Sequence, residues 1–464
     1  MSSLLRVLRK SYDTIVPMKT RLERSTVILI ALFSLGLIIR LAIIGTWESP
    51  DFSSAFLKWG MNTYEKGLSV SFEGSYFPIQ YLVFAFAYGI AKFLSISTVL
   101  VIRIFSSLFE IGSLILLIKI LAKYISTKKI LTYYWLNPFA LIIYQQGYVD
   151  PQFSFFVLST MAILLGVNNK YKYLLAGIPM GIALMMKPQV VPMYIGLSII
   201  FAILFILKYR DDSKKVLKMF VAPFIIYFIF SLYFALTIDI NNNHKTLTRV
   251  SNIVHTYTHI PQRASDITAN MLSLTSQYAY IPNIMSAINA QMANPWFFVA
   301  ESMRKDPMPI YRVHDTDKFI GLTFRTWGLA LLLLALAYFT KKIVSSNQTL
   351  EKKIIMTICL VPILVPYLTT NSHENHFFFG FVSTIILGAM LADKFILNSG
   401  YLLAILNGLN ILYWYIIPHY FHIIYTNAAK MSIIGASSII FFALIYHLIF
   451  KVNFDSNSDP SKAY

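Results

Sequence analysis

Charged residues and cysteine are both scarce in this sequence. Only 13% of its 464 residues are charged, while 57% are apolar, whereas a soluble domain is usually about 25% charged. Few charges and long apolar runs exclude a soluble globular protein and a disordered chain. The single cysteine, Cys359, lies inside an apolar run, so neither a disulfide scaffold nor a zinc cluster is available.

Acidic residues are the scarcer of the two charge types. Lys and Arg number 39 against 21 Asp and Glu, giving a formal net charge of +18. In a soluble protein this excess would suggest nucleic-acid binding. Here the basic residues stand between apolar runs, where they orient a membrane protein in the bilayer. We therefore predict an all-α, polytopic membrane protein whose partner is the lipid bilayer, with no nucleic-acid partner.

Long apolar runs recur along the whole chain. A helix needs about 20 mostly apolar residues to cross the hydrocarbon layer. On this basis we predict about twelve crossings, near 26–46, 98–119, 131–147, 152–167, 173–187, 189–208, 216–237, 319–340, 354–370, 377–392, 395–418 and 431–450. The first run is too long for a cleaved signal peptide and lacks a small-residue cleavage site.

Short basic loops predict the orientation of these crossings, because such loops stay in the cytoplasm. The N-terminal arm is basic, and four further basic clusters surround Lys123, Lys170, Lys208 and Lys341. All five fall on one side only if the apolar segment 76–96 does not cross. We therefore interpret 76–96 as an interfacial or re-entrant segment and expect both termini in the cytoplasm.

The spans and loops divide the chain into five regions. We predict a cytoplasmic arm at 1–25 and a transmembrane module at 26–237, which contains the first outer loop, 47–97. An extracytoplasmic loop follows at 238–318, then a second transmembrane module at 319–450 and a cytoplasmic tail at 451–464. Within 51–68, four apolar side chains are expected to rest on the membrane surface while the charged ones stay in water. The apolar residues are Phe52, Phe56, Trp59 and Met61, and the charged ones are Lys58, Glu65 and Lys66.

Ionisable residues gather at the predicted outer ends of the spans. Charges at membrane depth are costly, so such a group is a candidate functional site. The candidates are Asp51, Asp150, Lys187, Gln189, His373, Glu374 and His376.

Each candidate also has a structural interpretation. Asp51 is suited to cap a helix, Asp150 to occupy a turn, and Lys187 to snorkel from a helix end. His373 and His376 are spaced like two metal ligands but lack a third.

Three further charges lie inside predicted spans. Arg40 is compatible with packing, with snorkelling or with ligand binding. Arg103 and Glu110 stand about two helical turns apart in one span, which favours a structural contact within the bundle.

Four passages together resemble the GT-C superfamily of polytopic glycosyltransferases, particularly prokaryotic mannosyltransferase-like proteins. Asp51-Phe52 resembles the start of the first outer loop, and Tyr76-Phe77-Pro78-Ile79-Gln80-Tyr81 resembles Asp-Tyr-Pro-Pro-Gly-Tyr. Gly147-Tyr148-Val149-Asp150 followed by Lys187-Pro188-Gln189 resembles Gly-Gln-Val-Asp and Lys-Pro-Gln. His373-Glu374-Asn375-His376 resembles His-Glu-Arg-Tyr. Tyr76 and Asn375 depart from the family pattern, where an acidic residue and an Arg are expected.

The resemblance implies an inverting mannosyltransferase, of the hexosyltransferase class, acting on the extracytoplasmic side. The expected donor is a polyprenyl- or dolichyl-phosphate sugar, and the acceptor is a glycan, a lipid-linked molecule or a protein. Asp51 is the expected catalytic base, with Lys187 and His373 facing the phosphate. Asp150 and Glu374 are expected to orient sugar hydroxyls or to position the cations. No metal and no cofactor are expected, and the segment 76–96 is expected to border an apolar groove for the isoprenoid chain.

The missing Arg at position 375 has candidate substitutes in the long outer loop, at Arg249, Arg263, Arg304 and Arg312. The expected location is the plasma membrane of a bacterium or archaeon.

Two other functions remain open. A lipid-linked-sugar flippase or transporter would also be basic and polytopic, but it would need charges along a path through the bilayer. The third possibility is a non-catalytic membrane assembly subunit.

Overall fold

The computed structural model describes residues 25–46, 52–72, 76–237, 251–252, 255–256, 261–271, 292–302, 314–370, 372–373, 375–413 and 427–455. Within these residues the only strands form one short antiparallel hairpin, β1 (Lys318–Phe319) with β2 (Leu322–Thr323). The helices of the first half are α1 (Ser25–Ile43), α2 (Leu57–Lys66), α3 (Leu68–Ser71), α4 (Pro78–Leu94), α5 (Thr98–Leu121), α6 (Thr127–Ile130), α7 (Pro138–Gln146), α8 (Asp150–Gly166), α9 (Lys172–Leu184), α10 (Val191–Ile206) and α11 (Arg210–Thr237). Those of the second half are α12 (Gln262–Met271), α13 (Trp296–Ser302), α14 (Phe324–Val344), α15 (Leu350–Leu368), α16 (Phe378–Met390), α17 (Lys394–Ile411) and α18 (Asn427–Phe450).

The protein is an all-α, multi-pass membrane protein. Six helices among the described residues are long and apolar enough to cross a bilayer: Ser25–Ile43, Thr98–Leu121, Pro188–Ile206, Arg210–Thr237, Phe324–Val344 and Ala429–Phe450. Shorter apolar helices, among them α8, α9 and α16, lie between them along the chain. A described helix overlaps each predicted span, while the count of about twelve crossings stays a prediction.

The bundle has two chemically distinct ends. At one end, which we call the basic end, the Tyr173 hydroxyl donates to Glu351 at 2.8 Å, and Lys172 forms an ion pair with the same carboxylate. Lys342 donates there to the carbonyl oxygens of Leu448 and Ile449 near the end of α18. Helix α8 runs about 25 Å from Asp150 toward the loop before Lys172. The opposite end is therefore called the Asp150 end.

Helix α4 stays at the Asp150 end. The backbone N–H of Phe77, just before α4, donates to the Met186 carbonyl oxygen at 3.2 Å. A short turn at 95–97 then joins α4 to the start of α5, and Phe86 of α4 stacks on Phe105 of α5. Lys123, just past α5, acts electrostatically on Lys352 at the basic end. The start of α5, and with it the end of α4, therefore lies at the Asp150 end. This arrangement agrees with the interpretation of 76–96 as a segment that does not cross.

A buried ion pair joins α1 to α5. Arg40 Nε donates to Glu110 at 2.7 Å, and the guanidinium also bonds the Trp135 carbonyl and stacks on the Trp135 ring. The prediction that Arg103 and Glu110 make structural contacts within the bundle is confirmed. Arg103 donates to the backbone carbonyls of Ile44, just past α1, and Gln145, in α7. Glu110 pairs with Arg40 of the neighbouring helix.

Two glycines allow α9 and α11 to pack backbone to backbone. A Cβ at Gly177 would lie 2.6 Å from the Met219 carbonyl oxygen, and one at Gly181 would lie 2.9 Å from Pro223 Cα. Small residues four apart let membrane helices approach this closely. Farther along α11, Phe234 stacks on Phe72 of the first outer loop.

The aromatic side chains of the first outer loop pack inside the protein. Phe52, Phe56 and Trp59 are all buried, and Phe56 stacks on Phe84 of α4 at a ring-centroid distance of 4.9 Å. The prediction that these three residues rest on the membrane surface is therefore wrong, because α4 offers them a protein partner. Lys58 and Glu65 are exposed, as predicted.

The predicted orientation can be tested with single cysteines, since the native Cys359 is fully buried. Ser97→Cys, in the turn before α5, and Asn168→Cys, in the loop after α8, are both at exposed positions on opposite ends. We expect a membrane-impermeant maleimide to label Ser97→Cys in intact cells and Asn168→Cys only after permeabilisation. The reverse pattern would contradict the orientation drawn from the basic loops.

Candidate functional site

The centre of the candidate site is a buried ion pair between α8 and the link that follows α9. Lys187 Nζ donates to Asp150 Oδ1 at 2.7 Å, and each residue is only 1% exposed. Asp150 is the first residue of α8, and Lys187 precedes the short 3₁₀ turn Pro188–Val190. Burial of either charge alone would cost several kcal/mol, so each residue depends on the other.

A third element completes the binding of the carboxylate. Asn375 Nδ2, in the link between α15 and α16, donates to Asp150 Oδ2 at 2.9 Å. Both oxygens of Asp150 therefore have protein partners. Asp150 binds the Lys187 cation, which is one of the two roles predicted for it. The other role, orienting sugar hydroxyls, stays a prediction. Asn375 stands where the resemblance expects Arg, and its role as a donor to Asp150 was not predicted.

Aromatic rings surround the ammonium group of Lys187. Its Nζ lies 5.8 Å from the centroid of the Tyr76 ring and 5.4 Å from that of Phe153. Both distances are within the range of cation–π attraction. Tyr76 occupies the position where the resemblance expects an acidic residue, so at this position a ring faces the cation in place of a second carboxylate.

His376 joins the same link to the 3₁₀ turn. Its Nε2 lies 2.8 Å from Gln189 Nε2, and its Nδ1 lies 3.2 Å from the backbone nitrogen of His373. Desolvation by burial lowers the pKa of His376 well below its usual value, and His373 and Lys187 lower it further. The imidazole is therefore neutral at neutral pH. Among the described residues, no three His, Cys, Asp or Glu side chains are grouped so that they could hold a metal ion.

Segment 76–80 is fastened to the site by its backbone and by a chain of amides. The Ile79 N–H donates to the Met185 carbonyl at 2.9 Å, beside the Phe77 bond to Met186. Gln80 Nε2 donates to Gln152 Oε1 at 2.9 Å, and Gln152 in turn donates to Ser106 at 3.3 Å. These bonds hold Tyr76 against Lys187 and connect α4, α5 and α8.

The first outer loop also reaches the site through Phe52. Gly147 ends α7 with a φ of +77°, and a Cβ at this position would lie 2.3 Å from the Phe52 ring. Glycine therefore satisfies both the left-handed backbone and the close contact. Phe52 directly follows Asp51 in the sequence, and Gly147 stands three residues before Asp150.

An apolar groove of about 720 Å³ lies between α2, α4 and α11. Its lining includes Leu68, Phe86, Phe93, Ile229 and Phe230. Buried rings lie between the groove and the site, because Phe84 of α4 stacks on Phe56 while Phe56 meets Tyr76 edge-on at 5.5 Å. The predicted apolar groove beside 76–96 therefore exists.

The structure brings five of the seven predicted site residues into one neighbourhood. These are Asp150, Lys187, Gln189, His373 and His376. Asp51 and Glu374 lie outside the described residues, as do Arg249, Arg304, Arg312 and the side chain of Arg263. Sequence reasoning noted Asn375 and Tyr76 only as departures from a family pattern. It had no signal for the Gln80–Gln152 contact, whose partners are far apart in the chain.

The mutual dependence of Asp150 and Lys187 predicts non-additive stability. Asp150→Asn leaves the Lys187 ammonium buried without a counter-charge and should cost about 3–5 kcal/mol of unfolding free energy. Adding Lys187→Met removes the unpaired charge, so the double variant should be more stable than Asp150→Asn alone. Thermal unfolding of the detergent-solubilised protein measures the stability of the single and the double variant. Additive losses would show that the two side chains are energetically independent.

Comparison with known proteins gives no relative. No protein-family model, no curated protein and no solved structure matches the chain.

Proposed function

We propose that the protein is a membrane glycosyltransferase, of the inverting GT-C kind, which transfers a sugar from a polyprenyl-phosphate donor. Mannose is the sugar that the resemblance favours. The acceptor is a glycan, a lipid-linked molecule or a protein on the extracytoplasmic side.

The observation that carries this proposal is the combination of a polar cluster with an apolar groove. Lys187, Gln189 and His376 offer a cation and amide and imidazole groups at one end of the bundle. The groove between α2, α4 and α11 offers about 720 Å³ lined by aliphatic and aromatic side chains. A polyprenyl-phosphate sugar has the matching parts, a polar phosphosugar joined to a long apolar chain.

Transfer requires a base for the acceptor and stabilisation of the leaving group. In the proposed reaction, an acceptor hydroxyl oxygen attacks the anomeric carbon while Asp51 takes the hydroxyl proton. The bond from the anomeric carbon to the phosphate oxygen breaks, and polyprenyl phosphate leaves with the electron pair. A single displacement inverts the anomeric centre. The packing of Phe52, the neighbour of Asp51 in sequence, on Gly147 supports this assignment.

Lys187 is proposed to stabilise the negative charge that grows on the leaving phosphate. A well-placed donor at such a position contributes a few kcal/mol to lowering the barrier. Asp150 acts through Lys187, because its carboxylate binds the ammonium group. Asn375 acts through Asp150, to which it donates a hydrogen bond. The low-dielectric surroundings, including the rings of Tyr76 and Phe153, strengthen the attraction between this cation and a phosphate.

The variant Asp51→Asn tests the proposal, because an amide cannot accept the hydroxyl proton. We expect transfer to fall about a hundred-fold or more, while binding of the donor is retained. The assay supplies purified protein with a panel of radiolabelled polyprenyl-phosphate sugars and an acceptor extract, followed by linkage analysis of the product.

Asp211→Asn is the matched control, since Asp211 is exposed near the start of α11 at the basic end. It should transfer like the unmodified protein. Full activity of Asp51→Asn would remove Asp51 from the reaction. No transfer by the unmodified protein from any donor in the panel would contradict the glycosyltransferase proposal and favour a flippase or an assembly subunit.

A further inference from the structure

One polar atom of the site has no partner within the described structure. The Oε1 atom of Gln189 is buried and makes no hydrogen bond, although the other end of the same amide contacts His376. An unsatisfied buried amide oxygen costs free energy comparable to that of a lost hydrogen bond. The hydrogen bonds of His376 explain why Gln189 Oε1 has no partner.

The two nitrogens of His376 restrict how the amide can be oriented. The backbone N–H of His373 points at Nδ1, so Nδ1 must be the hydrogen-bond acceptor of the ring. In a neutral imidazole, Nε2 then carries the proton. A protonated Nε2 needs an acceptor at 2.8 Å, whereas an amide with Nε2 at this position offers only its NH₂ group. An amide turned by 180° removes the conflict, because it presents its oxygen to the imidazole proton.

The turned amide has a consequence for binding. Gln189 Oε1 accepts the His376 proton, and the NH₂ group takes the buried position that lacks a partner. Among the described residues no hydrogen bond is made at this position, so the NH₂ group is available to donate to a ligand. Two titratable groups act electrostatically on the His376 ring, His373 and Lys187. The Lys187 ammonium group is itself paired with the Asp150 carboxylate.

We infer that Gln189 is a ligand-binding residue whose NH₂ group, oriented by His376, donates hydrogen bonds to an acceptor oxygen of the donor substrate. This inference rests on the proposed function and adds a specificity-determining contact to it. The oxygen belongs either to the phosphate or to a hydroxyl of the sugar. His376 is a positioning residue that acts through Gln189, and it does not serve as a cation.

Two substitutions separate a donating Gln189 from an accepting one. Gln189→Met removes the amide without adding charge, and Gln189→Glu keeps an oxygen for His376 but replaces the NH₂ group by a second acceptor. Both should weaken binding of the donor about ten-fold or more, the usual effect of losing a hydrogen bond to a charged or buried group. Gln348→Glu, at the basic end next to Lys352, carries the same change of charge and should bind normally.

Binding is measured with detergent-solubilised full-length protein and two radiolabelled probes, polyprenyl phosphate and polyprenyl-phosphate mannose. Weaker binding of both probes assigns the contact to a phosphate oxygen, and weaker binding of the mannose-bearing probe alone assigns it to a sugar hydroxyl. Unchanged binding in both variants, or a loss in Gln189→Met that Gln189→Glu restores, would overturn the inference. Failure of the unmodified protein to bind either probe would overturn the proposed function, and this inference with it.

The ring state of His376 provides a readout that is independent of any ligand. In protein labelled with ¹⁵N-histidine, the His376 signals, identified by their loss in His376→Gln, should show a neutral ring protonated at Nε2. Protonation at Nδ1 would mean that the NH₂ group of Gln189 faces His376, and it would overturn the inference even if donor binding is observed.

Discussion

A lysine that is removed from water requires a counter-charge, and this requirement organises the whole Asp150 end. Asp150 supplies the counter-charge, and Asn375 donates a hydrogen bond to the second oxygen of the Asp150 carboxylate. The three residues come from the start of α8, the link after α9 and the link before α16. One cluster therefore fastens the second transmembrane module to the first, and loss of either charge would leave the other buried and unpaired.

The same constraint acts deeper in the bundle. Arg40 and Glu110 neutralise each other, and the backbone carbonyls of Gly36 and Trp135 accept further hydrogen bonds from the guanidinium group. Both partners are buried among α1, α5 and the Trp135 segment. A polar group inside a membrane protein must find its partners within the protein, because lipid offers none. These contacts tie the pair to the packing of the first module.

Much of the fold could be predicted because its signals are local. Apolar runs predict the helices, and basic loops predict which helix ends lie together, since successive crossings alternate in direction. That alternation placed Asp150, Lys187 and His376 at one end before any contact was known. The partner of Asp150 could not be predicted in this way. Asn375 lies 225 residues away in the sequence, and a neutral amide gives no charge signal.

The sequence by itself determined which segments are helices and which of their ends carry the polar groups, because hydropathy and charge act along the chain. Only the tertiary structure decided which group meets which. Glu110 pairs with Arg40 rather than with Arg103, and the aromatic residues of the first outer loop pack on α4 rather than on lipid. The reason is that helix packing sets the rotation of each helix about its own axis, and an apolar run carries little information about that rotation.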